Sequence, residues 1–178
     1  LGGTCVMASL NSVGIAGLLA LRRHAQLPIH AHRNGWGYLS RHPALGFDYS
    51  AWSVFWRLAG ADHMHVNGLS NKFCEPDESA IASARALLQP LDAAHPCCAM
   101  PVFSSGQSAR QVHGTWDALG TPDLIFAAGG GIMGHPDGPA AGVRAIRDAW
   151  DAAMAGIPLA RAAAGSPALA AAIAGSGA

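Results

Sequence analysis

The chain has 178 residues, which is enough for one domain with a sizeable core. Hydrophobic residues make up 51% of it and charged residues only 12%, which is about half the charged share of an ordinary soluble domain. Eleven basic residues balance eleven acidic ones without a stripe of Lys or Arg, so the sequence gives no indication of a nucleic-acid partner. A chain this poor in charge is expected to bury much of its surface or to belong to a larger fold.

The apolar runs are short and interrupted by Gly, Pro or charge, so we expect no membrane-spanning segment and no membrane partner. The cysteines lack the spacing of metal ligands, and the adjacent pair Cys97-Cys98 is a poor disulfide, so a reduced, cytoplasmic protein is the default expectation. These cysteines are Cys5, Cys74, Cys97 and Cys98. Since the chain begins at Leu1 rather than Met and opens directly into a strand-like segment, we expect that an N-terminal part is missing.

Short apolar segments alternate with helical patterns along the chain. The predicted strands are Thr4–Ala8, Pro28–His32, Asp62–His65, Ala99–Phe103 and Leu124–Ala127. The predicted helices are Val13–His24, Tyr49–Ala59, Asp77–Leu88, Ala109–Leu119 and Pro139–Ala155. Strict alternation of this kind favours an α/β fold with a parallel sheet.

The last of these helices has apolar residues near helical spacing, namely Val143, Ile146, Trp150 and Met154. A final Ala-rich helix is predicted to begin at Ser166-Pro167, with the serine as N-cap and the proline at the first helical position.

The pattern His-x-His-x-Asn-Gly occurs twice, at residues 30–35 and 63–68, on two consecutive predicted strands. Side chains at i and i+2 of a strand point to the same face, so each copy directs two imidazoles one way. Two neighbouring parallel strands would then bring four imidazoles together, which predicts a functional site. Four histidines could instead bind Zn²⁺ directly, as in a hydrolase. His135 and the tryptophans, in contrast, are interpreted as structural.

Polar or glycine-rich loops follow the predicted strands, as in a (β/α) barrel whose chemistry lies at the carboxyl ends of its strands. Ser104-Ser105-Gly106 and Gly129-Gly130-Gly131 follow consecutive strands and offer N–H groups that could bind phosphate, although two ordinary turns are the alternative.

Two basic residues are candidates for the same site. Lys72, the only lysine, lies in the loop after the second histidine strand and could neutralise developing negative charge; a lone surface lysine is the alternative. Arg33 directly follows His32 and could turn inward to hold a phosphate with two hydrogen bonds.

Several segments, taken in chain order, resemble the C-terminal barrel of the RuBisCO large-subunit superfamily. They are Ile29–Arg33, Gly60–His65, Lys72, Ser104–Gly106 and Gly129–Pro136. The resemblance covers residues 1–160 and implies a partial TIM (β/α)₈ barrel, strands four to eight with their helices, followed by an Ala-rich helix or tail at 161–178.

The resemblance also implies roles for individual residues. His32, His65 and Lys72 would be catalytic, the lysine by stabilising a carboxylated intermediate from a flexible loop. The residues implied for substrate and phosphate binding are Arg33, Ser104, Ser105, Gly106, Gly129 and Gly130.

The sequence departs from the family pattern after the first histidine pair, in the segment Ser70–Glu75 around the lysine, at Ser105 and at Asp137. Asn34-Gly35 follows the first histidine pair, and Ser105 stands where the family has a phosphate-binding glycine. These departures favour a RuBisCO-like protein over a CO₂-fixing carboxylase. The implied activity is Mg²⁺-dependent enolisation of a phosphorylated sugar or sugar acid, and in particular decarboxylation or transcarboxylation of a 3-oxo sugar-acid phosphate by a carboxy-lyase.

Other functions stay open at this point. An isomerase or enolase acting on a methylthioribulose-type phosphate, a true ribulose-bisphosphate carboxylase and a non-catalytic phosphate-binding half-barrel are the alternatives. The resemblance implies a homodimer for the intact protein. It also implies that the Mg²⁺ ligands lie in the missing N-terminal part and that this chain holds none, so the chain alone is expected to be inactive.

Overall fold

The computed structural model describes residues 2–42, 44–73, 75–94 and 96–175. Its strands are β1 (Val6–Ser9), β2 (Ile29–His32), β3 (His63–Asn67), β4 (Met100–Phe103) and β5 (Ile125–Phe126). Its helices are α1 (Leu10–His24), α2 (Gly37–Ser40), α3 (Tyr49–Leu58), α4 (Asp77–Leu88), α5 (Val112–Leu119), α6 (Gly129–Met133), α7 (Pro139–Met154), α8 (Leu159–Gly165) and α9 (Pro167–Ala174), with a 3₁₀ turn at Ala109–Gln111.

The strands form one five-stranded sheet in the order β1-β2-β3-β4-β5. β1 pairs with β2 and β2 with β3 in parallel, with Ser9 opposite His32 and His30 opposite His63. The predicted α/β fold with a parallel sheet is therefore confirmed, and each predicted strand and helix is present with boundaries shifted by a few residues. No helix in the described part of the chain is long and apolar enough to span a membrane.

Contacts divide the chain into two units, and the first consists of Leu1–Val66 and Ala82–Val102. Its core includes Leu10, Leu18, Ile29 and Met64, none of which is exposed to solvent. Aromatic rings pack beside this core, since the ring centroids of Trp36 and Trp52 lie 4.8 Å apart and those of Trp52 and Trp56 lie 5.3 Å apart. The structural interpretation of these tryptophans is confirmed.

A buried arginine ties two helices of the first unit together. Arg57 of α3 is 4% exposed and donates hydrogen bonds to the carbonyl oxygens of Ala86 (2.9 Å), Gln89 (2.6 Å) and Cys97 (2.7 Å). Its guanidinium group thereby provides hydrogen bonds to carbonyl groups at the end of α4, which have no partner within the helix.

The second unit consists of Asn67–Ile81 and Phe103–Ala178. Its core is built on a face of α7 that carries Ala145, Ala149 and Ala153, packed with Val112 and Leu169. Small side chains on this face allow the neighbouring helices to approach α7 closely.

The bulky periodic residues of α7 do not form its buried face. Val143 and Met154 are 42% and 45% exposed, while Ile146 and Trp150 are half-buried. The predicted N-cap of the last helix is confirmed, because Ser166 Oγ accepts a hydrogen bond from the N–H of Leu169 at 3.1 Å. Residues 176–178 of the predicted tail lie outside the described residues, as do Leu1 and Cys74.

Candidate functional site

The repeated histidine motif forms one cluster of imidazoles in the first unit. Because β2 and β3 are parallel neighbours with His30 opposite His63, the side chains that alternate to one face come together. The ring centroids of His30 and His63 are 5.6 Å apart, those of His30 and His65 are 4.8 Å apart, and those of His32 and His65 are 4.5 Å apart. The predicted convergence of four imidazoles is thus observed.

His30 and His65 share a hydrogen bond between their Nε2 atoms, 2.7 Å apart, and both residues are buried. Burial lowers the pKa of His65 to about 3, with further contributions from His32, His30 and Arg33. Burial also lowers the pKa of His30, assisted by His63 and His32. Both rings are therefore neutral at pH 7, and in a neutral pair one Nε2 must carry the proton while the other accepts it. This hydrogen bond couples the tautomers of the two rings.

The Asn-Gly turn after the first histidine pair orients His32. The N–H of Asn34 donates to His32 Nδ1 at 3.0 Å, so a neutral His32 ring carries its proton on Nε2. Asn34 is itself held by the hydroxyl of Ser9 and by Asn11 Nδ2, which donates to its carbonyl oxygen at 2.8 Å. The exposed turn at Asn34 is therefore bonded directly to His32 and to Ser9 and Asn11.

Arg33 is turned away from solvent, with 5% of its surface exposed. β2 ends at His32, so strand alternation no longer fixes the direction of the next side chain. Its guanidinium carbon lies 4.6 Å from the ring centroid of Tyr49 and 6.0 Å from that of Trp36, a cation–π arrangement. Tyr49 donates its hydroxyl proton to the carbonyl oxygen of His65 at 2.5 Å. The phosphate-binding role of Arg33 stays a prediction.

The second unit holds the other predicted site residues. Lys72 is exposed, and its backbone N–H donates to the carbonyl oxygen of Ser105 at 3.0 Å. Ser104 is buried, and its N–H donates to the carbonyl oxygen of Asn67 at 2.9 Å. Gly106 is exposed with a φ of 95°, a conformation that favours glycine. The structure thus brings the lysine-bearing segment and the Ser104–Gly106 segment into contact.

The predicted glycine loop is in fact the short helix α6. Gly131 fits there because it lacks a side chain: an added Cβ would lie 2.7 Å from the carbonyl oxygen of Gln107. Gly129 and Gly130 are exposed, and an added Cβ on either would meet no atom within 4 Å. Open space at the first turn of a helix suits an anionic group, because the backbone N–H groups there have no partner within the helix.

His30, which the sequence placed in the imidazole cluster without a separate role, is bonded to His65, and the contacts of Tyr49 and Gln107 were not predicted. Gln107 is 1% exposed and donates from Nε2 to the carbonyl oxygen of Leu69 at 3.0 Å. The repeated motif already contained the signal for His30, whereas no pattern in the sequence marks the other two residues.

The structural interpretation of His135 is confirmed. It is buried, its Nε2 lies 2.9 Å from the carbonyl oxygen of Ala168, and its Nδ1 accepts from the N–H of Asp137 at 3.0 Å. Both ring nitrogens are therefore engaged within the fold.

Among residues 2–42, 44–73, 75–94 and 96–175, no three or more His, Cys, Asp or Glu side chains are grouped so that they could hold a metal ion. The geometry of the four imidazoles therefore does not support the zinc alternative. Mg²⁺ prefers oxygen ligands, and the described part of the chain offers no such set for the Mg²⁺ that the family resemblance implies.

Comparison with known proteins identifies clear relatives. The family model described as "Ribulose bisphosphate carboxylase large chain, catalytic domain" matches residues 1–175. The chain is 61% identical over 168 residues to the 3-oxo-isoapionate-4-phosphate transcarboxylase/hydrolase of Xanthobacter autotrophicus, covering 94% of this chain and 41% of that protein. It is 49% identical over 175 residues to the 3-oxo-isoapionate-4-phosphate decarboxylase of Rhizobium etli, covering 97% and 42% respectively.

The fold matches a solved structure closely. The crystal structure of a rubisco-like protein from Burkholderia fungorum superposes with a TM-score of 0.94 at 51% identity, covering 97% of this chain and 43% of that chain. The chain therefore spans about two fifths of the length of the relatives it matches.

Proposed function

Because the chain belongs to the family of the ribulose bisphosphate carboxylase large-chain catalytic domain, we propose that the complete protein is a RuBisCO-like enzyme acting on a phosphorylated 3-oxo sugar acid. The substrate class is that of 3-oxo-isoapionate 4-phosphate, which appears in the names of relatives 61% and 49% identical to this chain. The reaction is loss or transfer of the substrate's carboxyl group.

The chemistry of such a substrate defines what the site has to do. In a 3-oxo acid the carbonyl lies β to the carboxylate, so the bond between the carboxylate carbon and C2 can break with its electron pair passing to the carbonyl oxygen. CO₂ leaves, an enolate remains, and C2 then takes up a proton to give the ketone. A catalyst therefore has to stabilise an oxyanion and supply a proton to carbon.

The buried neutral pair His30–His65 beside His32 is the observation that carries the proposal. With a pKa of about 3, His65 is neutral at pH 7, so it acts on an enolate oxygen as a neutral hydrogen-bond donor and not as an imidazolium. His32 is half-buried and holds Nδ1 on the backbone of Asn34, which leaves Nε2 as the atom for proton transfer.

The remaining predicted residues serve the two charged ends of the substrate. Lys72, on an exposed segment, would pair with the carboxylate and the departing CO₂. Phosphate binding is proposed for Arg33 in the first unit and, separately, for the Ser104 side chain and the N–H groups of Ser105, Gly106, Gly129 and Gly130 in the second unit.

Several finer points belong to the same proposal. Decarboxylation and transcarboxylation share the bond-breaking step and differ in what receives the carboxyl group. A homodimer, a cytoplasmic location and a Mg²⁺ requirement of the complete protein are expected from the family.

An isomerase or enolase of a methylthioribulose-type phosphate is the second candidate function. It needs the same enolate stabilisation and phosphate binding, but its substrate has no carboxylate for Lys72 to pair with.

The test is turnover of 3-oxo-isoapionate 4-phosphate by the complete protein, measured as CO₂ release, before and after Lys72→Met. We expect the substitution to lower kcat/KM by about 100-fold or more, since a charge that acts on the reacting carboxyl is lost. Arg147→Met removes an exposed cation from α7 and serves as the matched control, with activity unchanged. Unchanged turnover in Lys72→Met would show that the lysine has no part in the reaction.

A further inference from the structure

The segment that carries the lysine is fastened to a second segment at two places, both within the second unit. We define residues 68–73 as the lysine loop and residues 104–108 as the serine loop. The backbone N–H of Lys72 donates to the carbonyl oxygen of Ser105 at 3.0 Å. Gln107 Nε2 donates to the carbonyl oxygen of Leu69 at 3.0 Å.

The side chain of Ser105 adds a third tie, at the base of the lysine loop. Its hydroxyl donates to Asn67 Oδ1 at 2.7 Å, and Asn67 Nδ2 donates onward to Glu75 Oε2 at 2.5 Å. The two residues that bracket the lysine loop are thereby joined through one amide, and that amide is joined to the serine loop. A glycine at position 105 could not make this contact.

The backbone of Ser105 has a conformation that is unfavourable for a residue with a side chain. Its φ is 69°, in the left-handed region where a side chain is disfavoured and glycine is the default residue. Asn67 has a φ of 62°, and asparagine is among the residues that tolerate this region best. Ser105 thus has a backbone conformation that suits glycine, and its hydroxyl makes a 2.7 Å hydrogen bond to the Asn67 amide that glycine could not make.

We propose that Ser105 is a positioning residue for Lys72, and that its hydrogen bond to Asn67 holds the lysine loop against the serine loop. This inference rests on the proposed function for the role of Lys72 and assigns Ser105 a task other than direct phosphate binding. The ammonium group is then presented from a loop whose backbone is fixed beside the segment predicted to bind phosphate.

Hydrogen exchange in the complete protein tests the tie without reference to turnover. Ser105→Gly removes the hydroxyl and suits the positive φ, while Ser105→Ala removes the hydroxyl alone. We expect the Lys72 amide and its loop to exchange about 3- to 10-fold faster in both variants. Thr121→Ala removes another hydroxyl of the second unit, one that accepts from the N–H of Asp123, and should leave this exchange unchanged.

Kinetics with 3-oxo-isoapionate 4-phosphate then separate positioning from phosphate binding. Ser105→Gly should lower kcat by about 10-fold with KM changed less than about 2-fold, and it should cost nothing further when combined with Lys72→Met. A raised KM with unchanged exchange would overturn the proposal and make Ser105 a direct ligand of the substrate. Unchanged exchange in both Ser105 variants would overturn it as well. If the parent protein does not turn over this substrate, the proposed function fails, and the exchange measurement still decides whether the tie exists.

Discussion

His65 shows how a single residue can be tuned by its neighbours. It is 9% exposed and lies near His32, His30 and Arg33, and each of these surroundings opposes a positive charge on its ring. The same surroundings that keep the ring neutral for catalysis make its protonation costly for the fold. The free energy of unfolding should therefore depend on the protonation of His65.

We expect the free energy of unfolding to fall as the pH is lowered from about 7.5 to about 5. The pKa of His65 is about 3 in the folded protein, whereas that of an exposed imidazole is 6.5, so between these values only the unfolded state binds the proton. The contribution of His65 is thus present above pH 6.5 and is lost at about 1.4 kcal/mol per pH unit below it, or about 2 kcal/mol at about pH 5. The lowered pKa of His30 acts in the same direction.

Urea unfolding at the two pH values measures this difference, and two variants identify its source. His65→Gln should show a smaller loss of stability on acidification, because the titrating ring is gone. Tyr49→Phe removes the hydrogen bond to the His65 carbonyl and should lower stability by about 1 kcal/mol at both pH values. A His65→Gln protein with the same pH dependence as the parent would contradict the assignment.

Residues that repeat in a pattern could be placed from the sequence, and residues defined only by packing could not. The register of β2 and β3 follows from two copies of one motif on consecutive strands, so the imidazole cluster was predictable. The contact of Arg33 with Tyr49 depends on where the chain turns after β2 ends, and the buried position of Gln107 depends on the packing of the second unit. Neither the contact of Arg33 with Tyr49 nor the buried position of Gln107 follows from a periodic pattern in the sequence.

At the scale of elements, the position of α6 depends on Gly142 in α7, the helix that packs against it. An added Cβ on Gly142 of α7 would lie 2.4 Å from the carbonyl oxygen of Ile132 and 2.7 Å from its Cα. These are backbone atoms of α6 and cannot rotate away. Since α6 carries Gly129 and Gly130, the closeness of α6 and α7 also positions the predicted phosphate-binding N–H groups.

Gly142→Ala should therefore force α6 and α7 apart and lower the free energy of unfolding by about 1–3 kcal/mol. Gly165→Ala is the matched control, because an added Cβ at this residue of α8 meets no atom within 4 Å. We expect that control to change stability by less than about 1 kcal/mol. Urea unfolding of both variants decides the point, and equal effects would show that close packing at Gly142 is unimportant.

In the same helix, the spacing of apolar residues located α7 but did not show which of its residues are most buried, since Ile146 and Trp150 pack against the core while Val143 and Met154 are exposed. Bulky residues at Val143 and Met154 follow helical spacing, yet the buried face is alanine and glycine because neighbouring helices need room. Alanine has a high helix propensity but carries little signal about direction in a chain with so many alanines. The existence of the helix was predictable from the sequence, and its orientation was not.

At the scale of the whole molecule, the low charge and the exposed apolar side chains both favour association with another surface. Charged residues are 12% of the sequence and the formal net charge is zero, so electrostatic repulsion between copies is weak. Large apolar side chains nevertheless lie in solvent: Phe55 and Leu58 of α3 are 59% and 62% exposed, and Met7 of β1 is 63% exposed. Exposed apolar surface of this kind marks a region that associates with another surface.

We expect a sample of the 178-residue chain to self-associate in a concentration-dependent manner and to bind a hydrophobic dye. The double variant Phe55→Lys with Leu58→Glu adds charge at two exposed positions three residues apart without changing the net charge, and it should reduce both signals. Because both side chains are exposed, its stability should change by no more than about 0.5 kcal/mol per substitution. The pair Phe55→Leu with Leu58→Met keeps the surface apolar and should retain the association. Light scattering after size exclusion measures the outcome, and a parent chain that stays monomeric at high concentration would show that these side chains are isolated surface residues and not part of an interface.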